Sequence, residues 1–230
     1  MSKKSLYKVA LAAAILSAVS WIVFILGNMS LPALSEISDP LQYFQTLQDT
    51  RLVWIMYGWG GIFGTLLSIP FIIAFYYAMK DTVPVILLSM IIALIGAVMT
   101  TFGFFSPLTS VYFYVPLGLV ANPESLPIFK AAAEVAVKVF EVPWALGSFL
   151  IFGLGYGLIA YYGWRTSTGP KWLNVVGMLA GLTGIVWLAV FLPFLQPMGV
   201  ILRMANILLI FVWSIGLSTA LVRQKEPAIQ

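Results

Sequence analysis

Residues 83–105 read VPVILLSMIIALIGAVMTTFGFF, a long apolar run without a charged side chain. The hydrocarbon core of a bilayer is about 30 Å thick, and a helix needs about 20 such residues to cross it. A helix is favoured in lipid because it satisfies every backbone N–H and C=O internally. The run therefore predicts a transmembrane helix, and similar stretches predict five more, at 7–27, 52–79, 143–164, 172–195 and 201–222.

None of the six stretches contains an acidic residue. Across the chain, 61% of residues are hydrophobic and only 9% are charged, which is too few charges to cover a water-soluble body of 230 residues. We expect an all-α fold, a polytopic membrane bundle of six transmembrane helices that occupies residues 1–230 as a single domain.

The composition also limits the chemistry that the chain can perform. It has no histidine and no cysteine, so haem ligation, Fe–S clusters, Cys/His zinc sites and thiol nucleophiles are excluded. We expect no cofactor, no metal and no catalytic activity. Although the formal net charge is +4, the basic residues flank apolar stretches, so they indicate membrane topology rather than nucleic-acid binding.

Basic residues concentrate on one side of the predicted bundle, which is expected to be the cytoplasmic side. A bacterial plasma membrane is the expected location, with both termini in the cytoplasm. The expected cytoplasmic residues are Lys3, Lys4, Lys8, Lys80, Arg165, Lys171, Arg223 and Lys225, against Arg51, Lys130, Lys138 and Arg203 on the other side.

The two longer connections, 28–51 and 106–142, fall on the expected outer side. Residues 125–142, between spans three and four, predict an amphipathic outer helix because four charged side chains recur within one arc at helical spacing. We expect Glu134 and Lys138 to form an i,i+4 pair. Such a helix would lie on the membrane, cap the bundle or act as a lid over a ligand or partner. The four charged residues are Lys130, Glu134, Lys138 and Glu141.

Residues 106–120, SPLTSVYFYVPLGLV, are apolar but contain two prolines, which predicts an interfacial or re-entrant segment rather than a full span. Tyr112, Phe113 and Tyr114 would lie at headgroup depth, where aromatic rings with a polar tip are favoured. They would anchor the protein or line the mouth of a site for an apolar molecule.

Arg203 lies at the start of span six, near the expected outer boundary. It either reaches water or a lipid phosphate, or turns inward to pair with Glu141, Asp49 or a ligand carboxylate. Asn206 lies one turn deeper on the same helix face, and Arg51 could act as Arg203 does.

Three pairs of glycines at i,i+4 spacing predict close helix contacts, within the chain or in an oligomer. Three prolines, Pro70, Pro193 and Pro197, predict kinks. Residues 73–84 and 159–170 also share several residue types at an offset of 86, which indicates either a duplicated hairpin or the common features of membrane hairpins. The glycine pairs are Gly60 with Gly64, Gly153 with Gly157, and Gly177 with Gly181.

Residues 152–181 read FGLGYGLIAYYGWRTSTGPKWLNVVGMLAG: a glycine-rich span, a short basic turn, then a glycine-containing span. With the last span opening near Arg203 and closing at Arg223, the chain resembles a widespread group of bacterial six-helix membrane proteins, a domain family of uncharacterised function. The resemblance implies the fold and brings no known site.

We expect a non-catalytic membrane protein that binds a lipid, a small apolar molecule or a partner membrane subunit through its outer half. Membrane lipids are the first expected partners, with another subunit or a homo-oligomer as further ones. The alternative is a small secondary transporter, suggested by the hairpin similarity and the prolines. Because the spans lack acidic residues, its substrate would be neutral or hydrophobic.

Overall fold

The computed structural model describes residues 2–191 and 199–223, with no side-chain description for Ser35, Val190 and Val200. Within these ranges the chain is helical, without strands. Six helical segments are long and apolar enough to cross a membrane, which confirms the predicted number of spans. They are Lys3–Met29, Arg51–Met79, Ile86–Val120, Leu126–Arg165, Lys171–Ala189 and Ile201–Arg223.

Several of these segments change helix type or break along their length. The α-helices are α1 Lys3–Met29, α2 Pro40–Asp49, α3 Arg51–Leu66, α4 Ile69–Met79, α5 Ile86–Gly103, α6 Phe105–Thr109, α7 Val115–Val120, α8 Leu126–Ser148, α9 Tyr156–Arg165, α10 Lys171–Thr183 and α11 Gly199–Arg223. Two π-helical stretches, Ser110–Tyr114 and Phe149–Gly155, join α6 to α7 and α8 to α9. Short 3₁₀ helices occupy Leu34–Glu36 and Gly184–Val190.

The described ends of the chain lie at the same end of the bundle. Lys3 Nζ is 3.8 Å from Asp81 Oδ2, so the start of α1 is beside the turn between α4 and α5. Leu217, near the end of α11, packs against Gly169 in the turn between α9 and α10. The opposite end contains α2, α7 and the first half of α8, and we call it the α2 end.

An aromatic core runs through the centre of the bundle. Trp21 of α1 meets Phe24, Phe104 and Phe152 in edge-to-face contacts, with ring centroids 5.0 to 6.0 Å apart. Trp213 of α11 lies 5.2 Å from Tyr156 by the same measure. Edge-to-face pairs add to the stability that burial of these rings provides. The core thus ties α1, α5, α11 and the fourth span together.

The predicted glycine pairs lie at close contacts between helices of the same chain. A Cβ on Gly60 would be 2.6 Å from the backbone N of Phe24 in α1, and the hydroxyl of Ser17 donates to the carbonyl of Gly64 at 2.6 Å. Gly157 and Gly181 face each other across α9 and α10, where a Cβ on Gly157 would lie 3.2 Å from the Gly181 Cα. Their lack of a side chain allows these backbones to approach.

The two other predicted glycines lie in the same contact region. Gly153 faces Gly184, with a hypothetical Cβ 3.6 Å from the Gly184 carbonyl carbon. A Cβ on Gly177 would be 2.6 Å from the Ala160 Cβ and from the Trp213 ring. Larger side chains at these positions would force the helices apart.

A second, smaller core lies at the α2 end. It joins α2, α7 and α8 through Tyr43, Phe44, Leu47, Val115 and Ala133, all at most 2% exposed. A buried core of this kind fixes α2 and the start of α8 against the bundle, so neither is a free surface helix.

The predicted boundary between an outer helix and span four is wrong. Residues 125–142 do form helix, but α8 continues through Pro143 to Ser148 and then, by way of the π-helical stretch, into α9. Proline removes one backbone donor, and a long helix packed on both sides of it can tolerate that loss. The two predicted elements are therefore one helical segment of 40 residues.

The re-entrant form of the prediction for residues 106–120 is also wrong. Phe104, Ser110 and Val115 all keep right-handed helical φ and ψ, so the chain continues the direction of α5 instead of turning back. The interruption of span two falls at Leu67–Ser68, just before Pro70, which takes a place in the first turn of α4. A proline is tolerated there because that turn needs no amide donor.

Helix α4 ends at Met79 and helix α9 ends at Arg165, 86 residues later. The same offset relates the two similar hairpins. Both explanations of the similarity account for this agreement. The predicted end of span five at Leu195, together with Pro193 and Pro197, lies outside the described residues.

Candidate functional site

Three adjoining cavities open at the α2 end, between the chain that follows α1 and helices α3, α8 and α11. The outermost has a volume of about 910 Å³, the middle one about 230 Å³ and the innermost about 80 Å³. Trp54, Val137 and Lys138 line both the outermost and the middle cavity, while Tyr57 and Trp144 line both the middle and the innermost. These shared walls place the three cavities side by side, and we call them together the α2-end cleft.

The walls of the cleft follow from helical spacing. Trp54 and Tyr57 are three residues apart on α3, so they lie on the same face of that helix. Val137, Glu141 and Trp144 recur at intervals of four and three on α8, and all line the middle cavity. Most of the surface exposed in the two larger cavities is apolar, which favours an apolar occupant.

Arg203 lies at the innermost end of the cleft, between two tryptophans. Its guanidinium carbon is 5.2 Å from the centroid of the Trp144 ring and 5.7 Å from that of Trp187. The two indole rings are nearly perpendicular, at 87° with centroids 5.5 Å apart. Cation–π attraction of this kind holds a guanidinium in place without neutralising its charge.

The polar atoms around Arg203 lack partners within the described chain. Arg203 Nε and Trp144 Nε1 are both buried and make no hydrogen bond with any residue of 2–191 or 199–223. In the same ranges no carboxylate lies within 4.0 Å of the guanidinium. Arg203 also lines the innermost cavity, together with Tyr57 and Asn28.

Asn206 does not face the cleft as a second ligand residue. Its amide nitrogen donates to the carbonyl of Ala180 at 2.7 Å and to the hydroxyl of Thr183 at 3.2 Å, and its oxygen accepts from Trp187 Nε1 at 2.8 Å. Both amide donors are therefore used inside the protein. Asn206 positions the Trp187 ring, which in turn lies against Arg203.

Glu141 lines the middle cavity and pairs with Lys138, whose Nζ lies 3.4 Å from Glu141 Oε2. Glu134 pairs instead with Lys130, also at 3.4 Å. The predicted pair of Glu134 with Lys138 is therefore wrong, because other contacts of Lys130 hold its ammonium near Glu134. The Lys130 ammonium donates to the Ser38 carbonyl at 3.4 Å, and the stem of the side chain is largely buried.

Tyr43 of α2 lines the outermost cavity and is 2% exposed. Loss of hydration on burial raises the pKa of its phenol to about 12, and the negative charge of Glu134 contributes in the same direction. The Lys130 ammonium lies 5.7 Å from the centre of the Tyr43 ring. Tyr43 is thus a neutral, firmly packed wall of the cleft.

The other predicted site residues lie together, but away from the cleft. The Arg51 guanidinium carbon is 5.6 Å from the centroid of the Tyr112 ring, and this ring is 48% exposed. Tyr114 packs against the second core. Arg51, Tyr112 and Tyr114 line none of the three cavities. The structure therefore separates the predicted site into the cleft with Arg203 and Glu141, and a surface pair of Arg51 with Tyr112.

Seven aromatic residues of the cleft were not predicted from the sequence: Phe24, Tyr43, Trp54, Tyr57, Phe140, Trp144 and Trp187. Helical spacing was the available signal, since Trp54 and Tyr57 follow Arg51 at intervals of three and Trp144 follows Glu141 by three. Their positions near predicted span ends are equally typical of interface anchors.

In the described ranges, no three acidic side chains come close enough together to hold a metal ion. The chain matches no protein-family model, no curated protein and no solved structure.

Proposed function

We propose that the protein is a non-catalytic integral membrane protein that binds a lipid or another small apolar molecule in the α2-end cleft. The observation that carries this proposal is the cleft itself: three adjoining cavities with mainly apolar walls, between helices that are otherwise closely packed. Small-molecule sites are typically about 300–1,000 Å³ and largely apolar, with few polar groups.

The proposed setting is a bacterial inner membrane with both termini in the cytoplasm, which puts the α2 end on the outer face. The helical segment Leu126–Arg165 has 40 residues. At about 1.5 Å per residue it is about 60 Å long, roughly twice the thickness of a bilayer core. In this setting the first half of α8 extends beyond the hydrocarbon as the outer, amphipathic part, and the cleft opens at the boundary between lipid and water.

A partner membrane subunit or a second copy of the chain is the other occupant considered for this end. The surface pair of Arg51 and Tyr112 would suit such a contact because Tyr112 is exposed beside a cation. The cleft favours a small molecule, since its inner end is narrow and is lined by Arg203, which has no carboxylate partner among the described residues.

Transport is less well supported by the packing at the centre. A path between the two similar hairpins would pass between α5 and α8, where the hydroxyls of Thr100 and Ser148 are 3.5 Å apart. A Cβ on Gly147 would lie 2.7 Å from the Thr100 hydroxyl, so these helices are in close contact. We therefore favour binding over transport.

The proposal is tested by filling the cleft. Val137 lines both larger cavities, so Val137→Trp should exclude a bound molecule, whereas Val98→Trp makes the same change on an exposed face of α5 outside the cavities. Native mass spectrometry of each protein, gently extracted from its own membrane, measures retained molecules. We expect a defined non-protein adduct on the wild type and on Val98→Trp, and its loss on Val137→Trp. No adduct on the wild type, or equal adducts on all three proteins, would contradict the proposal.

A further inference from the structure

Arg203 has some of the features of an anion-binding site. The two tryptophan rings lie within 5.7 Å of the guanidinium carbon, but Arg203 makes no hydrogen bond with any described residue. A guanidinium donates through its N–H groups in a fixed planar fork that matches a carboxylate or phosphate. Its donors are thus available to an acceptor that the described chain does not supply.

The nearby polar groups do not replace that acceptor. Glu141 is held by Lys138 at 3.4 Å, and Asn206 uses its amide on Ala180, Thr183 and Trp187. Arg203 is half-buried, and a partly desolvated charge without a partner is costly, so the site is expected to recruit a counter-ion from outside the chain. Trp144 itself lines the same cavity as Arg203.

We propose that Arg203 binds the anionic head of an amphiphile, a carboxylate or a phosphate, whose apolar chain lies in the two larger cavities. This inference rests on the proposed lipid-binding function and names the class of ligand. The anionic head would enter the innermost cavity between Tyr57 and Trp144, with the Arg203 guanidinium as its donor. The apolar chain of the amphiphile would pass Val137 toward the outermost cavity.

The dimensions agree with this division between head and chain. The innermost cavity of about 80 Å³ exceeds the roughly 10–15 Å³ that one water requires, so it can hold a small anionic group. The cavities of about 230 and 910 Å³ are lined mainly by apolar side chains and open outward, which suits an alkyl chain.

Three probes with the same alkyl chain separate the contribution of the head from that of the chain. They are dodecanoate, dodecyl phosphate and dodecanol, each titrated into the purified full chain in a non-ionic detergent, with binding measured by native mass spectrometry. We expect at least one anionic probe to bind at least tenfold more tightly than dodecanol, because hydrogen bonds to charged groups are worth about this factor or more. Binding of dodecanoate alone would identify a carboxylate ligand, and binding of dodecyl phosphate alone a phosphate ligand.

Two variants assign the preference to Arg203. Arg203→Gln should abolish the tenfold preference while leaving dodecanol binding unchanged, which also reports that the cleft is still folded. Arg51→Gln removes the same charge at the same end of the bundle, outside the cleft, and should behave as the wild type.

Two outcomes would overturn the inference while leaving lipid binding intact. They are equal binding of all three probes to the wild type, and an anionic preference that survives Arg203→Gln. If none of the probes binds the wild type, the proposed function fails with it.

Discussion

The polar link from Asn206 to Trp187 should contribute measurably to stability. Asn206→Leu keeps a similar volume but removes three hydrogen bonds, of 2.7, 2.8 and 3.2 Å. Interhelical hydrogen bonds in membranes contribute about 0.6 kcal/mol each and up to about 1.7. We therefore expect a loss of about 2 kcal/mol. The Trp187 indole N–H loses its acceptor, while the Ala180 carbonyl keeps its bonds from Gly184 N and the Thr183 hydroxyl.

Unfolding in mixed micelles by a denaturing detergent, followed by circular dichroism, measures this loss. Asn174→Leu is the matched control, because Asn174 is equally buried but makes a single hydrogen bond, to the Thr168 carbonyl at 2.9 Å. It should lose about a third as much. Combining Asn206→Leu with Trp187→Phe should cost less than the sum of the two single changes, by about 0.6 to 1.7 kcal/mol. Additive losses, or equal losses for the two asparagines, would refute the reasoning.

Three further perturbations test the packing, the topology and the α2 end. Gly60→Ala should destabilise the bundle by about 1–3 kcal/mol less the roughly 1 kcal/mol gained in helix propensity, because its Cβ would lie 2.6 Å from the backbone of α1. Thermal melts should show no such loss for Gly199→Ala, whose Cβ would meet no described atom within 4 Å. Single cysteines at Ser2 and Asn122, both exposed, should react with an impermeant maleimide from opposite sides of the membrane, with Asn122 labelled from outside; labelling from one side would refute the topology. The pKa of Tyr43 is about 12 in the folded protein and 10.0 ordinarily, so its contribution to stability is complete below pH 10. That contribution is lost as pH rises to about 12, at roughly 1.4 kcal/mol per pH unit. Melts of Tyr43→Phe should lack this alkaline loss, and identical pH profiles for the two proteins would contradict the prediction.

The spans were predictable because hydropathy and length alone determine them. Residues 83–105 carry no charged side chain, and the structure has a helix from Ile86 that continues through the end of that run. The glycines at i,i+4 spacing were likewise a local signal of close packing, and Gly60 meets the α1 backbone. Such features depend only on residues within one or two helical turns, so they can be predicted directly from the sequence.

The site was harder to predict, because it combines residues from distant parts of the chain. Arg203 was recognised as unusual, but its neighbours Trp144 and Trp187 come from α8 and from the 3₁₀ helix after α10. No spacing rule connects them. The continuous helix across residue 143 was hard to predict for a related reason: Pro143 removes one backbone donor, and tolerance of that loss depends on how the whole fourth segment is packed.

An experimentally determined structure of the protein, extracted from its own membrane without exchange of bound molecules, tests the central claim most directly. We predict elongated non-protein density that passes Val137 and ends between Tyr57 and Trp144, with a polar head within hydrogen-bond distance of the Arg203 guanidinium. A cleft filled by protein side chains, with Arg203 paired to Glu141 or another carboxylate of the chain, would contradict the claim.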